Sequence, residues 1–231
     1  MSLLGEFIRT PTTIGAVAAS GRALSQAATA PVPVGTDVVV VELGPGTGAM
    51  TGAIERRLAG RGRQLAIEVN ARLALPLSTR HPAVEVVQAD AADLQTVLTD
   101  RGITHADVVV SGLPWAAFRP RQQELLLDAV VSGLASDGVF TTFAYLHGLW
   151  TPAARRFRRQ LEARFEEVLL SRTVWRNLPP ALVYYARRPT EVGQARFARG
   201  VTQVVAAAAR GRWVTAGAAL RHHGTTSSRL T

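Results

Sequence analysis

The run VVVVELGPGTG, residues 38–48, limits what this chain can fold into more than any other stretch. A β-branched run ending in Glu42 reads as a buried strand, and Gly44, Gly46 and Gly48 read as a tight turn. Such a turn lets backbone amides approach a ligand before a helix begins, here near Thr47. Further strands are expected at 37–42, 64–69, 83–88, 106–111, 138–146, 166–174 and 181–187. Helical patterns fall at 48–59, 71–79, 92–99, 120–134 and 152–163, and a helix is expected to begin near Ser20. Strand–helix alternation implies an α/β, Rossmann-like, doubly wound seven-stranded sheet. The last two strands are joined by RNLPP without a helix, so they are expected to pair antiparallel at one edge.

Composition narrows the chemistry. The 231 residues are 47% apolar, enough for one domain with a full core. There are no cysteines, so disulfides, thiolate metal sites and cysteine nucleophiles are excluded, and no metal is expected. All 26 basic residues are arginine, which rules out lysine bases and Schiff-base chemistry. The net charge of +9 favours polyanions, either nucleic acid or an anionic membrane. MSLLGEFIRT lacks a basic region followed by a long apolar one, so no secretory signal is read and a cytoplasmic location is expected. Residues 189–231 hold six arginines against one glutamate and read as a basic extension, partly helical or disordered.

Several acidic and turn residues fall at strand ends, where open α/β sheets bind nucleotide-sized ligands. GPGTGA alone also satisfies a GxGxxA dinucleotide fingerprint. Glu42, two residues before the first glycine, favours a cationic sulfonium ligand over a pyrophosphate, and so S-adenosylmethionine. Glu68 ends the second strand, placed to accept ribose hydroxyls in either kind of site. Asp90 follows the third strand and is placed to accept an adenine amino group; Asp93 is an alternative, or a helix cap. DVVVSGLPW, residues 107–115, sets a rigid turn with Pro114 and Trp115 where a transferable methyl would point.

These segments, with FIRTPTTIGAVAASGRAL, FTTFAYLHGLW and VWRNLPPALVYY, resemble the bacterial phospholipid N-methyltransferase family over roughly residues 5–187. The resemblance implies a class I methyltransferase fold whose cofactor residues are Glu42, Gly44, Gly46, Gly48, Glu68, Asp90 and Ser111. It also implies an N-terminal helical segment, 1–30, covering the cofactor site, and a methyltransferase domain at 31–188. Phosphatidylethanolamine is the acceptor it suggests. The family is similar in turn to rRNA adenine dimethyltransferases, which carry Asn-Leu-Pro-aromatic where this chain has Gly112-Leu113-Pro114-Trp115. Gly112 has no side chain to hold a planar base amine, which counts against a nucleic-acid acceptor.

Around the acceptor, Trp115, Tyr145, His147 and Trp150 lie at or near strand ends, where aromatic faces stabilise a developing quaternary ammonium. Trp175 and Tyr184 carry the same reading, with core packing as the alternative. His147 is a candidate base, with Tyr145, water, or a purely structural histidine as alternatives. Arg176, beside Asn177 in the loop before the last strand, suits a single phosphate. The arginines of AARRFRRQLEARF read either as a solvated face or as a contact with anionic lipid. A soluble amine or hydroxyl acceptor remains the competing reading. Oligomeric state is not legible.

Overall fold

The computed structural model describes residues 21–190, and the architecture follows from where the apolar runs fall. The chain passes through α1 (Arg22–Ala28), β1 (Val39–Leu43), α2 (Thr51–Leu58), β2 (Arg63–Ile67), α3 (Ala71–Arg80) and β3 (Glu85–Val87). It continues through α4 (Leu94–Thr99), β4 (Ala106–Ser111), α5 (Pro120–Gly133), β5 (Leu134–Tyr145), α6 (Pro152–Glu162), β6 (Phe165–Leu170) and β7 (Ala181–Pro189). The sheet has seven strands in the order β3-β2-β1-β4-β5-β7-β6. β1 pairs parallel with both β2 and β4, so it lies near the centre.

The expected antiparallel pair of the last two strands is present at one edge. β7 inserts between β5 and β6 and runs antiparallel to both, leaving β6 outermost. Burial explains this. β7 carries Ala181, Val183, Tyr184 and Ala186 buried on alternate faces, whereas β6 leaves Leu169 and Leu170 exposed.

Period-two alternation divides the core into two layers. Val41, Leu43, Val109 and Phe140 face α4, α5 and α6, together with Leu127, Val130 and Phe157. Val40, Val108, Val110 and Val183 face α1 and α2, with Leu24, Ala28 and Ile54. A strand buried on both faces should be apolar throughout, so Glu42 stands out. It shares the parity of Val40, faces α2, and is 1% exposed.

α1 belongs to this core. Its Ala28 carbonyl accepts from the Thr141 hydroxyl at 2.8 Å, and its Ala27 carbonyl accepts from Tyr185 Oη at 2.9 Å. Within the 1–30 segment, residues 22–28 thus sit on the sheet over β5 and β7. Residues 1–20 and 191–231, including most of the basic extension, lie outside the described residues.

Candidate active site

The carboxyl ends of β1, β2 and β4 converge on the glycine turn. Gly44, Gly46 and Gly48 all have positive φ, at 67°, 55° and 86°. That conformation is costly for any residue with a Cβ. Helix α2 begins at Thr51, four residues later than Thr47, because residues 46–50 complete the turn first. Packing closes in from two sides. A Cβ on Gly44 would lie 2.6 Å from Leu113 Cδ2, and one on Gly48 would lie 2.7 Å from Leu77 Cδ1.

Glu42 sits beneath this turn and accepts from the Thr51 hydroxyl at 2.7 Å. Burial pushes its carboxyl up to about 8; the Thr51 hydrogen bond works against this, and the nearby Glu68 and Glu55 charges reinforce it. Thr51 was not singled out in the sequence, although its place nine residues after Glu42, at the first turn of the helix, is the signal that marks it.

Glu68 follows the end of β2, with both oxygens engaged by backbone. Oε2 accepts from the Gly46 amide at 3.2 Å and Oε1 from the Asn70 amide at 2.9 Å. It ties the glycine turn to the β2 end while keeping lone pairs for further donors. Asp90 accepts from the Ala92 amide at 3.0 Å and so caps the short 3₁₀ turn Ala91–Asp93. Asp93 stands at the N-cap of α4 but its side chain makes no capping hydrogen bond, and burial raises its carboxyl pKa, with the Asp90 charge adding to it.

Three comparisons bear on this arrangement. No family model matches the chain. An ornithine lipid N-methyltransferase from Singulisphaera acidiphila is 35% identical over 187 residues, covering 80% of this chain and 93% of that protein. The chain belongs to the same methyltransferase family. Among solved structures, the CurJ carbon methyltransferase is similar with a TM-score of 0.54 and 16% identity over 70% of this chain. The chain covers 51%, about half, of that protein. A TehB-like methyltransferase from Corynebacterium glutamicum has a TM-score of 0.51 at 16% identity, over 71% of this chain and 86% of that one. These two likenesses are of fold. Together with the family they make the chain an S-adenosylmethionine-dependent methyltransferase, with an α/β class I architecture and an antiparallel last strand.

The residues of this methyltransferase fit that methyl donor. The glycine turn is open at Gly46, where nothing lies within 4 Å of an added Cβ, Glu42 is a buried carboxyl beneath it, and Glu68 follows the next strand.

Elsewhere the structure redirects several expectations. Trp115, expected to offer its ring to the acceptor, is 3% exposed and turned into the core. It stacks on Phe157 at 5.0 Å and meets Phe118 and Phe140 edge-on. Its Nε1 donates to Ser111 Oγ at 3.0 Å, and the Leu113 amide donates to the same hydroxyl at 3.2 Å. Ser111 is wholly buried, and its hydroxyl builds the Gly-Leu-Pro-Trp turn. Tyr184 is likewise core, edge-on to Phe157.

Asn177, expected to touch substrate, is 5% exposed and spent on structure. Its Oδ1 accepts from the Gly21 amide at 2.8 Å, and its Nδ2 donates to the Pro179 carbonyl at 2.7 Å. It pins the start of α1 to the loop before β7. Replacing Asn177 with Ala leaves that amide without its partner and is expected to cost about 1–3 kcal/mol in denaturant unfolding.

Pro114 opens the short 3₁₀ turn Trp115–Ala117 and is half-buried. Tyr145 and His147 stack with ring centroids 5.8 Å apart, at the carboxyl end of β5. His147 is exposed, and burial raises the Tyr145 phenol. Trp150 and Arg176 are exposed at the same edge of the sheet. Several arginines of the 153–165 stretch have partners within the fold. Arg158 donates to Glu162 one turn away and Arg155 to the Trp150 carbonyl, while Arg164 is buried against Asp128.

Proposed function

We propose that the enzyme methylates the primary amine of a lipid headgroup. The observation that carries this reading is the family match to an ornithine lipid N-methyltransferase, which spans nearly the whole of that protein. An ornithine headgroup places a carboxylate near its amine, and phosphatidylethanolamine places a phosphate there. Arg176, exposed in the loop before β7, suits either anion through its planar fork. Gly112 supports a flexible alkyl amine over a planar base amine, since no side chain lies there to hold a base.

When bound, S-adenosylmethionine supplies a methyl group on a cationic sulfur that departs readily. Gly46 leaves space for it, Gly44 and Gly48 give the turn its positive-φ backbone, Glu42 offers a carboxylate to its cationic portion, and Glu68 and Asp90 offer acceptors to its nucleoside. The remaining work of the protein is alignment, which accounts for about 7–11 kcal/mol in well-oriented reactions. A protonated amine is not a nucleophile, so the acceptor must lose a proton. The raised Tyr145 phenol stays neutral and cannot take it at neutral pH. That role goes to His147, whose ring is stacked and exposed at the same edge and whose imidazole nitrogen can accept a proton as a general base.

The test is methyl transfer from labelled S-adenosylmethionine into vesicles that contain ornithine lipid or phosphatidylethanolamine, beside a soluble amine extract. Label in either lipid supports the reading, and the preferred lipid names the anion recognised. Label confined to the soluble extract would overturn it.

A further inference from the structure

Among the described residues nine large hydrophobic side chains are exposed, and five of them fall at one place. They are Trp150, Leu169, Leu170, Trp175 and Leu178, with Trp150, Trp175 and Leu178 at 79%, 71% and 86% exposure. Topology explains the clustering. β5 runs parallel to β4, so its end at Tyr145 lies on the edge that carries the glycine turn. β7 is antiparallel to β5 and starts opposite Tyr145, at Ala181; β6 therefore ends, at Leu170, on the same edge. The loops 146–151 and 171–180 both leave from there, and the Leu146 amide joins them by donating to the Pro180 carbonyl at 2.8 Å. Arg155, Arg172 and Arg176 are exposed on the same loops and the start of α6. Arg155 donates to the Trp150 carbonyl at 3.0 Å.

We propose that this edge is the enzyme's bilayer-docking surface, with Trp150, Trp175 and Leu178 entering the interfacial layer of an anionic membrane and Arg155, Arg172 and Arg176 meeting its phosphates. The proposal rests on the lipid-amine reading above. These exposed aromatic and aliphatic side chains are left uncovered by the described residues and are costly in water. Tryptophan and arginine both suit the headgroup region, where an apolar body and a polar tip are satisfied together. The arginines supply charge complementarity to anionic lipid, an attraction that weakens with salt. No helix among the described residues is long and apolar enough to cross a membrane, so this docking is superficial. Because the glycine turn shares the edge, a headgroup amine reaches the site without its acyl chains leaving the bilayer.

Vesicle flotation tests this directly, with phosphatidylglycerol-containing and purely zwitterionic vesicles compared at low and high salt. The full chain is expected to float with the anionic vesicles and to release as salt rises. Leu178→Ser combined with Arg172→Glu is expected to weaken that partition by at least about tenfold. Unchanged S-adenosylmethionine binding by calorimetry shows that this variant is folded. Tryptophan quenching by brominated lipid gives a second readout. Of the four tryptophans, Trp115 is buried and Trp213 lies outside the described residues. Trp150→Phe with Trp175→Phe should keep vesicle binding and abolish most of the quenching. Wild-type flotation by the first variant, or undiminished quenching in the second, would overturn the docking surface. Substrate lipid presented in detergent micelles separates the two ideas. Methylation there with variant flotation unchanged sinks the surface alone, whereas no methylation of any lipid sinks the acceptor reading, and flotation still decides the surface.

Discussion

Replacing Gly112 with Ala is expected to cripple cofactor binding, although Gly112 itself need touch no ligand. A Cβ at this position would lie 2.6 Å from the Gly44 carbonyl oxygen, an approach real Cβ atoms essentially never make. The obstacle is backbone, and it is held in place. The Gly112 amide donates to the Leu43 carbonyl at 2.8 Å, and the Gly44 amide donates to the Ile67 carbonyl at 3.0 Å. Relief therefore requires the glycine turn to shift. The expected stability loss is about 1–3 kcal/mol, as for overpacking. A displacement of the turn approaching 1 Å should weaken S-adenosylmethionine by on the order of a hundredfold. Gly46→Ala is the informative contrast. Nothing lies within 4 Å of its added Cβ, so only its φ of 55° is strained. Calorimetric titration of both variants checks the pair, and an intact affinity in Gly112→Ala would mean that the turn tolerates the shift.

The same contact refines the reading of Gly112. In sequence it is a position where a base-holding asparagine is missing. In the structure it is where β1 and β4 loops come closest, and any side chain would meet main chain. Sequence could show what was absent there, but not that the absence is enforced by a segment sixty-eight residues earlier.

That distinction runs through the whole chain. Glu42, the three glycines and Glu68 were legible because their setting is local: a buried strand, a turn, and a strand end. Trp115 was misplaced because the ring's direction is fixed by Phe157 on α6 and Phe140 on β5, which no local pattern reveals. Asn177 was misassigned for a similar reason, since its partner Gly21 lies 156 residues away. Insertion of β7 inside β6 was also hidden. Both strands have apolar residues, and only the exposure of Leu169 and Leu170 shows which one can bear the edge.

Replacing Glu42 with Gln is expected to raise stability and to abolish a pH dependence, while weakening the cofactor. The Glu42 carboxyl has an ordinary value of 4.5 and is pushed to about 8 when folded, mainly by burial. Between those two values the unfolded chain is ionised and the folded one holds the proton. The folded state then binds more protons, so stability falls as pH rises from about 4.5 through about 8 and levels off above it. Glutamine keeps the shape and removes the ionisation. Its Oε1 can still accept from the Thr51 hydroxyl, which donates to Glu42 in the native protein. The variant should match the ligand-free enzyme near pH 5 and exceed it near pH 9, by on the order of 5–10 °C in Tm. Ligand binding should show the opposite sign. A cation stabilises the ionised carboxylate, so S-adenosylmethionine affinity in the native enzyme should rise with pH, with proton release, by roughly five- to tenfold from about pH 7 to pH 9. In Glu42→Gln that rise should vanish and the affinity should be lower throughout. Calorimetry in two buffers of different ionisation heat reads the proton count. If native and variant proteins showed the same pH slope, another group would be carrying the proton, and Glu42 would be only the structural partner of Thr51.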